Sequence, residues 1–290
     1  MKIPKFLSLL QDVLVKEQSE SALRRTTYSV RHNPSSASVS KEGVVTGACL
    51  RQLYYKASAE PSSEPSDGGS ILKMEFGNVI HDYLASKLQK IPGLTYKAEV
   101  PGKLIVDDLT KEVSYRLDGL VFGGEEYDNT LGGVEIKTVF GRKMDSIKEY
   151  GPSDDHLLQI VCYFKALPEV KWFSLLYFAR DTGYRIEYQL FKDGDDIYMY
   201  GPGVSEPTKL LFTWEQIKER FKTYEGYLER KELPPRDYKV WLSPSGQIMA
   251  VKTIKGDKYK SDWRCLYCNW KTKCWSGTDA FKDTYNATKE

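Results

Sequence analysis

Hydrophobic and polar positions along this chain switch between two periods. Over residues 72–90, Met74, Phe76, Ile80, Tyr83, Leu84 and Leu88 recur at helical spacing and predict a helix with these residues on its apolar face. Residues 154–166 predict a second helix, with Ser153 as its cap, Asp154-Asp155 in its first turn and Pro168 just beyond its end. A third is expected near 213–231, stopping before Pro234-Pro235. Strand patterning covers 95–100, 103–107, 112–122 and 133–139, then 172–180 and 184–190 on either side of Asp181-Thr182-Gly183. The stretch from Gly123-Gly124 to Gly132-Gly133 reads as a glycine-bounded hairpin loop. The order helix, strands, helix, strands predicts an α/β fold, a mixed sheet flanked by helices.

The ends of the chain read differently. Residues 4–30 have the look of a helical extension, and 59–70, AEPSSEPSDGGS, of a polar loop. The segments expected are a helical extension over 1–31, a central α/β core over 32–240 and a cysteine-rich segment over 241–290.

Composition narrows the function classes only a little. At 41% hydrophobic and 28% charged residues, the chain has the balance of an ordinary soluble globular protein. Its net charge of +2 does not itself demand a nucleic-acid partner, so local clusters must carry any such role. No apolar run approaches the ~20 residues of a membrane-spanning helix. The opening ten residues resemble a signal peptide, but Gln11-Asp12 and Lys16-Glu17 interrupt the apolar stretch, and an amphipathic helix fits better. Five cysteines, an odd number in a long chain, do not form a secreted disulfide framework, so a cytoplasmic location is expected.

Candidate chemistry sits on two predicted strands. Asp118 ends the run Val113-Ser114-Tyr115-Arg116-Leu117, and Gly119 behind it allows close backbone approach. Glu135 and Lys137 are two apart on the next strand, so both side chains share a face, roughly 6–7 Å apart. Paired carboxylates suit Mg²⁺ or Mn²⁺, and an ammonium beside them can orient water or stabilise charge on phosphorus. The plain alternative is a surface ion pair between Glu135 and Lys137. His81 follows Gly77 by one helical turn; a lone histidine is a metal-ligand candidate only with carboxylates beside it. Gln159 and Tyr163 have the same spacing and present an amide and a phenol from one face.

Cys265, Cys268 and Cys274 form a C-x2-C-x5-C run, and Cys49 lies 216 positions before it. Four thiolates suit zinc or an iron–sulfur cluster. One distant hook against three close ones leans toward iron–sulfur, and zinc stays open. Cys162, inside Ile160-Val161-Cys162-Tyr163-Phe164, reads as a buried structural thiol. Lys252, Lys255, Lys258, Lys260 and Arg264 make a basic stretch suited to a nucleic-acid strand.

Taken in order, these motifs resemble a known family. Cys49 with Arg51-Gln52-Leu53-Tyr54-Tyr55, Gly77-x3-His81, Asp118-Gly119, Glu135-Ile136-Lys137, Gln159-x3-Tyr163 and the cysteine trio are similar to the RecB/AddB-type branch of the PD-(D/E)XK nucleases. The nearest likeness is to the CRISPR-associated iron–sulfur exonucleases and their viral relatives. It spans roughly residues 35–275; each motif alone is weak, and their shared order is specific. The resemblance implies a restriction-endonuclease-like core with a C-terminal iron–sulfur region. It implies that His81, Asp118, Glu135 and the Ile136 carbonyl bind Mg²⁺ or Mn²⁺ and that Lys137 is catalytic, with Gln159 and Tyr163 supporting. It also implies a [4Fe–4S] cluster on Cys49, Cys265, Cys268 and Cys274. The activity implied is metal-dependent cleavage of DNA, single-stranded or at ends, most readily as an exonuclease. Two alternatives are an end-processing subunit of a recombination or CRISPR-adaptation assembly and a zinc-stapled DNA-binding module. The extension before residue 32 has no counterpart in the family motifs.

Overall fold

The structure, a computed structural model, describes residues 13, 16, 17, 31–64, 68–123, 129–243, 245–254, 257–277 and 284. The helical extension expected over 1–31 falls almost wholly outside them. The chain divides into two units: Arg31–Ser40 with Met74–Glu225 form the larger, and Lys41–Lys73 groups with Gly226–Glu290 in the smaller. Neither is a single stretch of sequence, and residues 226–240 group with the C-terminal segment rather than with the sheet.

The larger unit is a mixed α/β structure on a seven-stranded sheet. Its strands are β1 (Leu94–Leu104), β2 (Val113–Gly123), β3 (Leu131–Val139), β4 (Trp172–Ala179), β5 (Arg185–Asp193), β6 (Asp196–Tyr200) and β7 (Thr208–Lys209), lying side by side in chain order. β3 and β4 run parallel; the other neighbours are antiparallel. A parallel pair needs a crossover. Here it is made by two helices, α2 (Gly141–Tyr150) and α3 (Asp154–Ala166). Most of helices α1 (Gly68–Leu88) and α4 (Trp214–Arg230) belongs to this unit as well.

Strand alternation sorts side chains into two cores. Leu158, Ile160, Val161 and Phe164 of α3 are buried in one cluster with Leu117, Phe173, Leu175 and Tyr177. On the other side, Leu84, Ala85 and Leu88 of α1 pack on Tyr96, Val121, Val134 and Ile136. Cys162 is fully buried, as expected of a structural thiol.

Several details depart from the sequence reading. The expected strands 95–100 and 103–107 are one strand, β1, which ends at Leu104. α2 and β6 are not among the elements expected from the sequence, although Met144 and Ile147 give α2 a buried apolar side. The inward face of α1 is not the Met74–Phe76–Tyr83 side, since those residues are 51%, 58% and 60% exposed. Gly77, Ile80, His81, Leu84, Ala85 and Leu88 form the less exposed stripe instead. Gly132 and Gly133 belong to β3 rather than to a loop. A Cβ on either would come within about 2.2 and 2.0 Å of the Trp172 and Phe173 rings, so glycine makes room for two aromatics on the adjoining strand.

His32 anchors the start of the larger unit. It is 1% exposed, its Nε2 is 2.8 Å from Glu225 Oε1, and its ring stacks on Phe221 at 4.2 Å. The same carboxylate accepts the N–H groups of Thr110 (2.8 Å) and Lys111 (2.9 Å). Burial lowers the His32 pKa, the Glu225 bond only partly opposing it. The unfolded chain therefore binds the proton more readily. This contribution is complete above about pH 6.5 and is lost as pH falls below it. We expect the melting temperature to drop between pH 7 and pH 5, and to drop less in His32→Gln. An unchanged pH dependence in that variant would refute the assignment.

Candidate active site and cysteine pocket

β2 and β3 pair from Phe122–Leu131 only as far as Gly119–Val134. Beyond that step the strands part, and Ile136 would lose its ladder partner. Asp118 supplies one: its Oδ2 accepts the Ile136 N–H at 2.7 Å. In an extended strand a residue's N–H and C=O project to the same side, so the Ile136 carbonyl looks into this fork as well. Gly119 is required there. A Cβ on it would lie 2.3 Å from Tyr96, whose hydroxyl donates to the Asp118 carbonyl at 3.0 Å.

His81, on α1, brings Nδ1 to 3.6 Å from Asp118 Oδ2. Burial works to lower its pKa, and the bond and charge of Asp118 outweigh burial, so the net direction is up. His81, Asp118, Ile136, Tyr96, Ala98 and Glu99 line a cleft of about 160 Å³.

Glu135 and Lys137 are joined by more than a surface ion pair. Glu135 is only 2% exposed, and Lys137 Nζ donates to its Oε1 at 2.6 Å and to Gln159 Oε1 at 2.8 Å. Gln159 Nε2 donates in turn to Glu135 Oε1 (2.8 Å) and to the Tyr163 hydroxyl (2.7 Å). Tyr163 passes its proton toward the Arg116 carbonyl at 3.3 Å. One amide thus holds the carboxylate, the ammonium and the phenol, and its orientation follows from having a lysine on one end. Burial raises the Glu135 pKa against the pull of Lys137, and Asp118 adds repulsion. Burial also raises that of Tyr163, which stays a neutral phenol.

The residues fit a hard divalent cation. Glu135 Oε2 is buried with no hydrogen-bond partner. Such an orphaned oxygen is costly unless a cation meets it. Two carboxylates, an imidazole and a backbone carbonyl at one fork are the ligand types that Mg²⁺ or Mn²⁺ accept alongside water. Among the described residues, no three His, Cys, Asp or Glu side chains form a closed metal-binding group.

The smaller unit brings all four candidate cysteines to one small cavity. Cys49, Cys265, Cys268 and Cys274 line it, with Tyr55 and Tyr238. Cys49 is the N-cap of the helix Leu50–Ala57 but makes no capping bond; Asp237 Oδ2 takes the Leu50 N–H instead, at 2.7 Å. Cys268 Sγ accepts the Trp270 N–H at 3.4 Å. Arg236 donates to the Cys274 carbonyl at 2.6 and 3.0 Å and lies over Trp275 at 4.8 Å. Burial first, then the Asp237 charge, pushes the Cys49 thiol up to about 12. Burial and then Cys49 raise that of Cys265. Cys274 and Cys268 act on Cys265 in the same direction. Lys255 lies outside the described residues, and so do the side chains of Lys252 and Lys258. Arg264 is already engaged, over Tyr238 at 4.8 Å and beside Asp262 at 3.7 Å.

Sequence reading did not find Tyr96, His156 or Tyr177. Each acts through pairing with a distant segment, and no local spacing marks it.

No protein-family model matches the chain, and comparison with curated proteins finds no match. Among solved structures, the crystal structure of SSO0001 is similar, with 14% identity and a TM-score of 0.52. That likeness covers 93% of this chain and 97% of the other. At so low an identity it shows the fold alone: mixed α/β, with a large mixed sheet flanked by helices. No helix among the described residues is long and apolar enough to cross a membrane.

Gln159→Ala is expected to leave Tyr163 and Glu135 short of partners and to cost about 1–3 kcal/mol. Thermal melting beside Gln189→Ala, an exposed strand position, checks this. Equal melting of the two variants would show that the amide does not hold the network.

Proposed function

We propose that this chain is a metal-dependent deoxyribonuclease with a restriction-endonuclease-like core, of the RecB/AddB-type iron–sulfur branch of the PD-(D/E)XK nucleases. Its substrate would be single-stranded DNA or DNA ends, and its action chiefly exonucleolytic. The observation that carries the reading is the meeting of Asp118, Glu135 and Lys137 at a strand fork, with one Glu135 oxygen buried and unpartnered.

In this reading His81, Asp118, Glu135 and the Ile136 carbonyl would hold Mg²⁺ or Mn²⁺. Such an ion, when bound, polarises the phosphodiester and makes water a better nucleophile. The chain's own residues do the rest. Gln159 keeps the Lys137 ammonium beside Glu135, so Lys137 can orient the attacking water by hydrogen bond and offset charge on phosphorus. Tyr163 fixes the other end of Gln159. Tyr96 holds the Asp118 main chain while the Asp118 carboxylate spans the fork.

Cys49, Cys265, Cys268 and Cys274 would hold a [4Fe–4S] cluster of structural role. Linking residues 216 positions apart restricts the unfolded chain, and the cluster's bonding adds folding energy directly. DNA is the partner the reading requires; an assembly for recombination or CRISPR adaptation would supply protein partners.

Glu135→Ala and Lys137→Ala should each lower cleavage of end-labelled single-stranded DNA by ~100-fold or more in Mg²⁺ or Mn²⁺. Near wild-type cleavage by either variant would sink the assignment. Cutting of linear but not circular strands is the exonuclease outcome, and cutting of circles the endonuclease one.

Protein purified without reducing its metal content should be brown and contain iron and sulfide. One zinc per colourless chain would favour the zinc staple. Cys49→Ala should lose cluster and thermal stability as fully as Cys268→Ala does, while Cys162→Ala keeps its cluster. Full cluster content in Cys49→Ala would exclude Cys49 as the fourth ligand.

A further inference from the structure

Past the fork β3 runs on without β2. From Ile136 to Val139 its ladder continues with β4 alone among the described residues, matched from Ile136–Leu176 to Val139–Ala179. Side chains two apart on a strand share a face. Ile136 lines the cleft, and a Cβ on Gly77 of α1 would lie 3.3 Å from Thr138 Oγ1. Phe140 comes next on that face, and its backbone, at φ −90° and ψ 158°, is still extended. At ~3.3 Å per residue it stands about 13 Å along the strand from Ile136.

The ring is held in place. Arg180, which follows β4, donates its main-chain N–H to the Val139 carbonyl at 2.8 Å and carries its guanidinium over Phe140, 4.5 Å from the ring centroid. Beside it, Asp181 accepts the Gly141 N–H on both carboxylate oxygens at 3.0 Å. A Cβ on Gly141 would come within 3.0 Å of Asp181 Oδ2, so glycine leaves room for that carboxylate.

Phe140 occupies the N-cap of α2 and makes no capping bond. Helix starts favour Ser, Thr, Asp or Asn at this position, because a side-chain oxygen there can accept an otherwise unmet N–H. Asp181 does that work from the neighbouring turn, and the cap position is left to an aromatic ring. Arg180 covers one face of it, yet 46% of the residue is exposed. A large apolar group set in solvent, where a polar one would stabilise the helix, breaks a local rule with no gain in folding. Such breaks concentrate at functional positions. The surroundings are cationic: Arg142 and Lys143 of the first turn of α2 are exposed, and Lys148 of its last turn lies 3.6 Å from the centroid of the exposed Tyr184 ring. Asp181 is spent on Gly141, and Asp145 faces Lys148 at 4.0 Å.

We propose that Phe140, backed by Arg180, is a stacking platform for one unpaired base of the DNA strand at the mouth of the cleft, with Arg142 and Lys143 supplying charge for its phosphates. An aromatic ring takes any base by its π-face, and cations beside it take the backbone, so the surface suits a single strand of any sequence. The proposal rests on the nuclease reading and adds where the strand is gripped, a few nucleotides from the phosphate being cleaved. Phe140 binds and takes no part in bond breaking.

The test reads anisotropy of a fluorescein-labelled single-stranded oligonucleotide in Ca²⁺ and steady-state cleavage in Mg²⁺. Phe140→Leu should weaken binding about tenfold and raise KM to match, with kcat little changed. Phe140→Tyr keeps the ring and should keep wild-type affinity. Phe140→Asn, a better helix cap, should melt at or above the wild-type temperature and bind as poorly as Phe140→Leu. Phe122→Leu removes an aromatic of similar exposure (47%) from the end of β2 away from the fork and should bind as the wild type does. With 2-aminopurine placed at successive positions of the strand, the wild type should quench one position most, and Phe140→Leu should release it. Wild-type affinity in Phe140→Leu, full loss in Phe140→Tyr, equal loss in Phe122→Leu, or a Phe140→Asn that melts well below the wild type would each overturn the platform while leaving the nuclease reading intact. A wild type that neither binds nor cuts DNA would overturn both.

Discussion

Everything at the candidate site follows from the place where β2 and β3 stop pairing. A buried strand cannot leave an N–H without a partner, and Ile136 would have none past Val134. The Asp118 carboxylate closes that gap. In doing so it is drawn into the sheet, within reach of His81 and of the strand carrying Glu135 and Lys137. The need to satisfy one amide thus assembles acidic groups that would otherwise repel each other apart. What offsets their repulsion inside the protein is the Lys137 ammonium, and Gln159 keeps it there.

The same economy appears in the helix that crosses over the parallel pair. α3 is apolar enough to be a core helix, yet it lays polar groups on three neighbouring strands: Arg116 of β2, the Glu135–Lys137 pair of β3 and Tyr177 of β4. A residue on such a helix is held by packing along its length and directed by hydrogen bonds at its tip. This is how a buried polar network avoids the cost of half-made bonds.

Much of this was legible before any coordinates. The period-two placement of Glu135 and Lys137, the helical spacing of Gln159 and Tyr163, and the span of α3 at 154–166 all stand in the structure. They were legible because each depends on residues within a few positions of one another. The unpartnered oxygen of Glu135, the Tyr96 bond to Asp118 and the pairing of His156 with Tyr177 depend on strand register and on separations of about twenty residues. Of the apolar face expected on α1, Ile80, Leu84 and Leu88 turn inward, whereas Met74, Phe76 and Tyr83, its largest apolar residues, are exposed. The rest of the inward stripe is Gly77, His81 and Ala85, whose small or polar side chains apolar patterning does not mark.

The interleaving of the two units has a consequence for synthesis. Residues 41–73 are made early, but the segment they group with begins only at 226. On a ribosome, Cys49 therefore emerges long before Cys265. At ~5–20 residues per second the wait is on the order of 10–40 s. Through that interval the sheet between them can form while the early segment has nothing to close on. The smaller unit cannot be completed until the segment beginning at 226 has emerged, so a chain halted before Cys265 would yield a sheet with an open companion rather than a shortened but finished protein.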